Sequence, residues 1–181
     1  MGKGTLIKRL RERLPQFELS ISATTRRPRP GEVDGHDYHF LSLEEFERRL
    51  ARGEFLEHAV YAGNMYGTPR SELDRAREAG LDLVLEIEVQ GARQVGEALP
   101  EAKQVFIAPP SEETLRERLE ARSTDAPEEI ERRLARAREE LAAASEWKHV
   151  IVNDDLDRAV EELVEAAATI DGRQSPEGAN E

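Results

Sequence analysis

Residues 81–91 read Leu-Asp-Leu-Val-Leu-Glu-Ile-Glu-Val-Gln-Gly, an apolar run that ends in two alternating carboxylates. The run lies between two stretches with helical spacing, which is typical of a strand buried on both faces of a parallel sheet. We predict a central strand over 81–89, with Glu86 and Glu88 on one face near its carboxyl end. Because ligands of parallel α/β sheets bind beyond the carboxyl ends of the strands, this stretch also indicates where a site should lie.

The rest of the chain alternates between strand and helix patterns around this central strand. Ser42 followed by Glu45 predicts a capping box, Thr68 and Pro69 predict a helix start, and Gly80 predicts its end. Strands are predicted at 17–21, 38–40, 55–61, 104–108 and 150–152, and helices at 6–14, 42–50, 69–79, 125–147 and 154–170, with one more helix beginning at Ser111. This alternation predicts an α/β fold with a parallel sheet flanked by helices. Residues 23–35 are predicted to form a loop, and the tail 171–181 is expected to be disordered.

Composition limits the classes of partner. The chain has 181 residues, 38% hydrophobic and 35% charged, which fits one domain with a real core and a charged surface. The net charge of −12 argues against binding to nucleic acid or to an anionic membrane, since both require a cationic surface. Residues 1–40 nevertheless hold eight Lys and Arg against five Asp and Glu. We therefore expect a bound anion to lie near this first segment.

Cysteine is absent, which excludes disulfides and thiolate metal sites. The four histidines, His36, His39, His58 and His149, share no spacing typical of a metal site. No apolar run reaches the length of a membrane helix, and no signal peptide pattern precedes Met1. We expect a soluble cytoplasmic protein.

The first residues carry a possible phosphate-binding motif. Gly2-Lys3-Gly4-Thr5 leads into a helix, as in the second half of a P-loop, where backbone N–H groups and the lysine hold phosphate. Gly4 stands at the usual Ser/Thr position and Thr5 one residue later. A Gly-Lys pair at a solvated terminus is the alternative. The first glycine of the loop and the strand before it are missing, so we expect a chain that begins partway through its loop and is impaired in activity.

Residues 20–32, Ser-Ile-Ser-Ala-Thr-Thr-Arg-Arg-Pro-Arg-Pro-Gly-Glu, form a more specific pattern. Arg26 and Arg29 present two guanidinium groups beyond a strand end, where each can grip a phosphate with two hydrogen bonds. Pro28 and Pro30 disfavour helix in the residues before them and keep the segment extended. Taken alone, the segment could equally be a solvated basic loop.

Three further motifs follow it, Gly-His-Asp-Tyr at 35–38, Glu-Phe-Leu-Glu at 54–57 and Gly-Asn-Met-Tyr-Gly-Thr at 63–68. In this order and spacing, the chain from 2 to about 170 resembles the guanylate kinase family of P-loop nucleoside-monophosphate kinases. The resemblance implies a P-loop NTPase-type parallel sheet, a small mixed α/β GMP-binding subdomain and a helical lid. It also implies Mg²⁺-dependent transfer of the γ-phosphoryl group of ATP to GMP.

The resemblance assigns roles to individual residues. Glu57 and Thr68 would read the guanine, which is chemically sensible because a carboxylate accepts from N1–H and the 2-amino group, and a hydroxyl donates to O6. The family has aspartates where this chain has Glu86 and Glu88; Glu86 would contact guanine, and Glu88 with Thr5 would contact magnesium. The residues implied to bind GMP are Ser22, Arg26, Arg29, Tyr38, Glu57, Tyr66, Thr68 and Glu86.

Arginines on either side of 123–128 would belong to the lid that closes over ATP. Arg118, Arg122, Arg132 and Arg133 flank this segment, although such arginines on charged helices also pair with glutamates one turn away. The residues implied to bind ATP are Gly2, Lys3, Gly4, Thr5, Arg118, Arg122 and Asn153, and those implied to act on the transferring phosphate are Lys3, Arg26, Arg122 and Arg133.

The implied organisation is one guanylate kinase-like domain over 1–170. Its core would comprise 1–22, 69–110 and 148–170, with the GMP-binding subdomain at 23–68 and the lid region at 111–147. Two alternatives remain open at this point, a catalytically silent guanylate kinase-like binding module and an adenylate kinase-type enzyme. The sequence leaves the choice between monomer and homo-oligomer undecided.

Overall fold

The computed structural model describes residues 2–120 and 127–168. The described residues divide into two compact units, one formed by residues 14–102 and the other by residues 2–13, 103–120 and 127–168. In the described segments, no helix is both long enough and apolar enough to cross a bilayer. The disordered tail predicted at 171–181 lies outside the described residues.

Within residues 14–102, a two-stranded parallel sheet joins the first strand to the segment that opened the sequence analysis. Strand β1 (Phe17–Leu19) pairs with β6 (Asp82–Val84). Helix α3 (Arg70–Ala79) precedes β6 and ends at Gly80, whose φ of 66° is the left-handed conformation that glycine adopts readily. Helix α4 (Val89–Ala98) follows β6.

A second, four-stranded sheet in the same unit has the order β3-β2-β5-β4. Its strands are β2 (Ala23–Thr24), β3 (His39–Phe40), β4 (Phe55–Tyr61) and β5 (Asn64–Pro69). Helix α2 (Leu43–Ala51) begins at Ser42, whose hydroxyl accepts from the Glu45 N–H at 3.1 Å, so the predicted cap is confirmed. Phe46 of α2 is fully buried and packs against Ala23 and Phe55, which fixes α2 on one face of this sheet.

Several predictions about the elements of this unit are wrong. The strand predicted to be central and buried on both faces is only half-buried, pairs with β1 alone among the described residues, and ends at Val84. Glu86 therefore lies after the strand and Glu88 immediately precedes α4, so the two do not lie on one face of a strand. Thr68 does not cap α3, because Thr68 and Pro69 belong to β5 and helix α3 begins at Arg70. Strands β2 and β5 were not predicted at all.

In the other unit, helices α1 (Lys3–Arg13) and α7 (Leu156–Ala168) carry complementary apolar faces, buried at Leu6, Ile7 and Leu10 and at Ala159, Val160 and Leu163. An ion pair of 2.6 Å joins Arg13 to Glu161. Strands β7 (Val105–Ala108) and β8 (His149–Val152) form a second parallel pair.

Two further helices in this unit, α5 (Glu112–Glu120) and α6 (Pro127–Ala142), pack through a cluster of Leu115, Leu134 and Ala137. A 3-10 turn at Ala144–Glu146 follows α6, so the predicted long helix ends before Trp147. The α/β class and the parallel strand pairs agree with the sequence prediction.

Candidate functional site

Strand β5 places two of the predicted residues on the same face of the four-stranded sheet. Alternate residues of a strand point to opposite faces. A Cβ atom added to Gly67 would lie 3.2 Å from Phe46 Cζ, so Gly67 faces helix α2. Tyr66 and Thr68 therefore face the side of the sheet opposite α2.

Glu57 lies directly across from Thr68 in the β4–β5 ladder. The two side chains are buried, with exposures of 5% and 0%, and the Thr68 hydroxyl donates to Glu57 Oε1 at 2.7 Å. Burial raises the pKa of Glu57, against the opposing effect of the Thr68 hydrogen bonds. The carboxylate can accept from the N1–H and the 2-amino group of guanine. The Thr68 hydroxyl, whose one proton is donated to Glu57 here, would have to turn to O6 to donate to guanine.

Arg26 is held over aromatic rings at the start of the loop that follows β2. Its guanidinium carbon lies 5.2 Å from the centre of the Tyr38 ring. Glu32 grips the same group with two hydrogen bonds, Nη1 to Oε2 at 3.0 Å and Nη2 to Oε1 at 2.8 Å. The Arg29 N–H also donates to Glu32 at 2.7 Å. Glu32 therefore connects the two arginines that were predicted to bind phosphate.

Tyr38 and Tyr66 complete this cluster, with ring centres 6.2 Å apart in an edge-to-face arrangement. Burial raises the pKa of Tyr38; the charges of Tyr66 and Glu86 add to the rise, and Arg26 opposes it. Glu86 thus acts on the same cluster electrostatically. Arg26, Tyr38 and Tyr66 form a patch with two hydroxyls and a guanidinium group that is paired with Glu32, and Tyr66 is two residues from Thr68 on β5.

The backbone around this patch is fixed by residues that sequence reasoning did not single out. The fully buried Thr24 hydroxyl donates to the Met65 carbonyl at 3.0 Å and accepts from the Arg26 N–H at 3.1 Å. The Thr25 hydroxyl accepts from the Met65 N–H at 2.9 Å. The Ser22 carbonyl accepts from the His39 N–H at 2.9 Å, which places Ser22 beside β3, directly before β2. Two adjacent threonines before an arginine were the available signal.

The predicted ATP-binding residues lie in the other unit. Gly2, with φ of 78°, precedes helix α1, and a Cβ on it would lie 2.8 Å from Asn153 Nδ2. Asn153 is buried, its N–H donates to the Ala108 carbonyl, and its own carbonyl accepts from Arg118 at 3.1 Å. The structure thus brings Gly2, Asn153 and Arg118 together beside the N-terminus of α1.

Lys3, Gly4 and Thr5 form the first turn of α1, which contains no acidic residue. The unsatisfied N–H groups of a helix N-terminus favour an anion. This placement agrees with the chemistry expected of the motif.

The predicted lid arginines are only partly described. Arg122 lies outside the described residues. Arg133 is on α6 with its Nε atom buried, and Arg132 is exposed on the same helix. Arg116, which was not selected, bridges α5 and α6 through Glu131 at 2.6 Å and also lies 3.9 Å from Glu120, one turn along its own helix.

Both candidate magnesium ligands carry oxygen donors, a hydroxyl on Thr5 and a carboxylate on Glu88. Magnesium is commonly held by one or two carboxylates together with substrate phosphates, so these residue types fit the ion. In residues 2–120 and 127–168 no group of three acidic or histidine side chains is placed to hold a metal.

The α/β fold, with its parallel strand pairs and a glycine-led helix N-terminus, is typical of the P-loop kinase class. A family model described as guanylate kinase matches residues 1–169. The guanylate kinase of Gloeobacter violaceus is 57% identical over 161 residues, covering 89% of this chain and 78% of the relative. That of Rubrobacter xylanophilus is 52% identical over 164 residues, covering 91% and 86%. The crystal structure of guanylate kinase from Anaplasma phagocytophilum has a TM-score of 0.75 at 34% identity, covering 92% and 80%. The chain belongs to the guanylate kinase family.

Proposed function

We propose that this chain is a guanylate kinase, which transfers the γ-phosphoryl group of ATP to GMP and gives ADP and GDP. The observation that carries the proposal is the buried Glu57 carboxylate beside the Thr68 hydroxyl, 2.7 Å apart on one face of the sheet. Guanine offers two adjacent N–H donors and an acceptor at O6, whereas adenine lacks this set. Family membership supports the same substrate and argues against the adenylate kinase alternative.

The GMP phosphate would be held by the patch near the other end of β5. Arg26 supplies the charge, and Tyr38 and Tyr66 supply hydroxyl donors. Ser22 and Arg29 flank the patch on the backbone that Glu32 and His39 fix. Residues 23–68 would then form the GMP-binding subdomain, with Glu86 acting on its edge.

Phosphoryl transfer asks the protein mainly for positioning and for neutralisation of charge. An oxygen of the GMP phosphate attacks the γ-phosphorus of ATP in line, the bond to the β-phosphate oxygen breaks, and ADP leaves. The attacking oxygen is already an oxyanion, so no general base is required. Lys3, the first turn of α1 and the arginines at 118, 122 and 133 would hold the ATP phosphates.

Mg²⁺, with Thr5 and Glu88 as its protein ligands, would supply further positive charge on the phosphates when bound. Asn153 would lie beside the adenine. The absence of cysteine is compatible with a reducing compartment, and the cytoplasm remains the expected location.

A coupled assay of ADP formation with GMP and with AMP tests the proposal. We expect turnover with GMP and none above background with AMP. Glu57→Gln should lower kcat/KM for GMP by about a hundredfold, because the amide presents a donor to the guanine donors in place of an acceptor. Equal turnover with GMP and AMP, or an unchanged kcat/KM in the variant, would refute the assignment.

A further inference from the structure

Strand β4, which carries Glu57, is an edge strand of the four-stranded sheet. It pairs with β5 on one side, and among the described residues no further strand pairs with its other side. The ladder is also irregular between Phe55 and Glu57, where the register shifts. An edge strand has ladder hydrogen bonds on one side only, and an irregularity interrupts them locally. Such a strand by itself holds a side chain less firmly in one orientation.

The side chain of Gln94, on helix α4, takes the place of a neighbouring strand beside Glu57. Its Nε2 donates to the His58 carbonyl at 2.7 Å, and its Oε1 accepts from the His58 N–H at 3.1 Å. Both backbone groups of the residue next to Glu57 are satisfied in this way. Gln94 therefore fixes the backbone of β4 at His58, the residue next to Glu57.

Gly91 lies one helical turn before Gln94 and faces the same carboxylate. A Cβ atom at this position would lie 2.3 Å from Glu57 Oε2 and 3.0 Å from Cδ. Real Cβ contacts are not this short, so any other residue would displace the carboxylate. The absence of a side chain at 91 lets α4 approach Glu57 closely enough for Gln94 to reach the strand.

We propose that Gln94 and Gly91 are positioning residues for guanine recognition, which hold the Glu57 carboxylate toward the N1–H and the 2-amino group of GMP. The inference rests on the proposed function, since it assumes that Glu57 reads the base. Gln94 acts through the main chain of β4, and Gly91 acts through direct contact with the carboxylate. Neither residue is assigned a contact with substrate.

The test compares GMP with IMP, which lacks the 2-amino group and so reports one of the two guanine contacts of Glu57. Gln94→Met keeps the length of the side chain but removes both hydrogen bonds to His58. We expect it to raise KM for GMP by about tenfold, with a smaller change for IMP and little change in kcat, because the carboxylate is misplaced rather than lost. The preference for GMP over IMP should narrow.

Gly91→Ala is the second variant, and it keeps the proposal testable if Gln94→Met folds poorly. Alanine favours helix over glycine, so α4 itself should not be weakened. The added methyl group nevertheless displaces the Glu57 carboxylate, and the same narrowing of the GMP preference is expected. Glu97→Gln, an exposed change on the same helix, is the matched control and should leave KM and kcat unchanged for both GMP and IMP.

Measuring Glu57→Gln alongside these variants distinguishes a failure of the proposed function from a failure of the positioning role. If Glu57→Gln keeps the GMP preference, the assignment of Glu57 in the proposed function fails. If Glu57→Gln loses the preference while Gln94→Met and Gly91→Ala both retain it, the positioning role alone is overturned. If Gln94→Met lowers the melting temperature but leaves the preference for GMP over IMP unchanged, Gln94 only stabilises the edge strand and the positioning role is likewise overturned.

Discussion

The buried carboxylate of Glu57 should cost the ligand-free protein stability at neutral pH, and Glu57→Gln should recover it. The side chain is 5% exposed, and within the described residues no arginine or lysine forms a salt bridge with it. Burial raises its pKa, so the folded protein binds this proton more tightly than the unfolded chain. The stability linked to the group is fully present below the pKa of the unfolded chain and is lost as pH rises through the folded pKa.

The expected gain in stability of Glu57→Gln follows from two opposing contributions. A buried carboxylate without a cation costs several kcal/mol, and hydrogen bonds to a charged group return about 1.5–3 kcal/mol each, which leaves a net cost of about 1–2 kcal/mol at pH 7. The amide of Gln keeps the shape and can still accept from Thr68. Since 1 kcal/mol shifts Tm by about 2–4 °C in a chain of this size, Glu57→Gln should melt about 2–8 °C above the wild type at pH 7.

The assay is a thermal melt of both proteins without nucleotide at several pH values from 5 to 8. The gap between them should shrink as pH falls, because the wild-type carboxyl becomes protonated in the folded state. Glu97→Gln controls for the loss of one negative charge at an exposed position. A Tm for Glu57→Gln below the wild type at pH 7, or a gap that does not change with pH, would refute the reasoning.

Two further changes probe the surroundings of the site. Glu32→Gln removes one of the two hydrogen-bond acceptors that hold Arg26, so it should raise KM for GMP by about tenfold while kcat changes less. An unchanged KM in steady-state kinetics would contradict this role of Glu32. Phe46→Ala empties a fully buried position stacked on Phe55 at 4.4 Å and should lower the free energy of unfolding by about 3–5 kcal/mol; a loss below about 1 kcal/mol in urea titration would show that α2 does not anchor the sheet.

Sequence patterns predicted the elements whose signals are local. The N-cap at Ser42 and the helix end at Gly80 depend on neighbouring residues alone, and both are present in the structure. Strand β5 was missed because Gly67 and Pro69 interrupt the alternation of apolar residues, and its pairing with β2 and β4 is set by tertiary contacts. The central strand was predicted too long because an apolar run does not mark where the backbone leaves a sheet.

Motifs suggested the members of the candidate site but not the contacts between them. Motifs indicated Arg26, Tyr38 and Tyr66, and the structure places these three side chains together. The role of Glu32 was not visible, because a glutamate six residues after an arginine has no local reason to turn back to it. Gln94 was also missed, since its partner is main chain 36 residues away.

The Thr68 hydroxyl could either cap helix α3, as predicted, or donate to the Glu57 carboxylate, and the energies of the two interactions explain which one forms. As a helix cap, a threonine contributes about 1 kcal/mol. A buried carboxylate that loses its donor costs at least about 1–3 kcal/mol, and more because it is charged. The greater cost lies with Glu57, so the Thr68 hydroxyl donates to Glu57 and α3 begins without a side-chain cap. The helix start is thus left weaker, and the hydroxyl is kept beside the carboxylate, where guanine would bind.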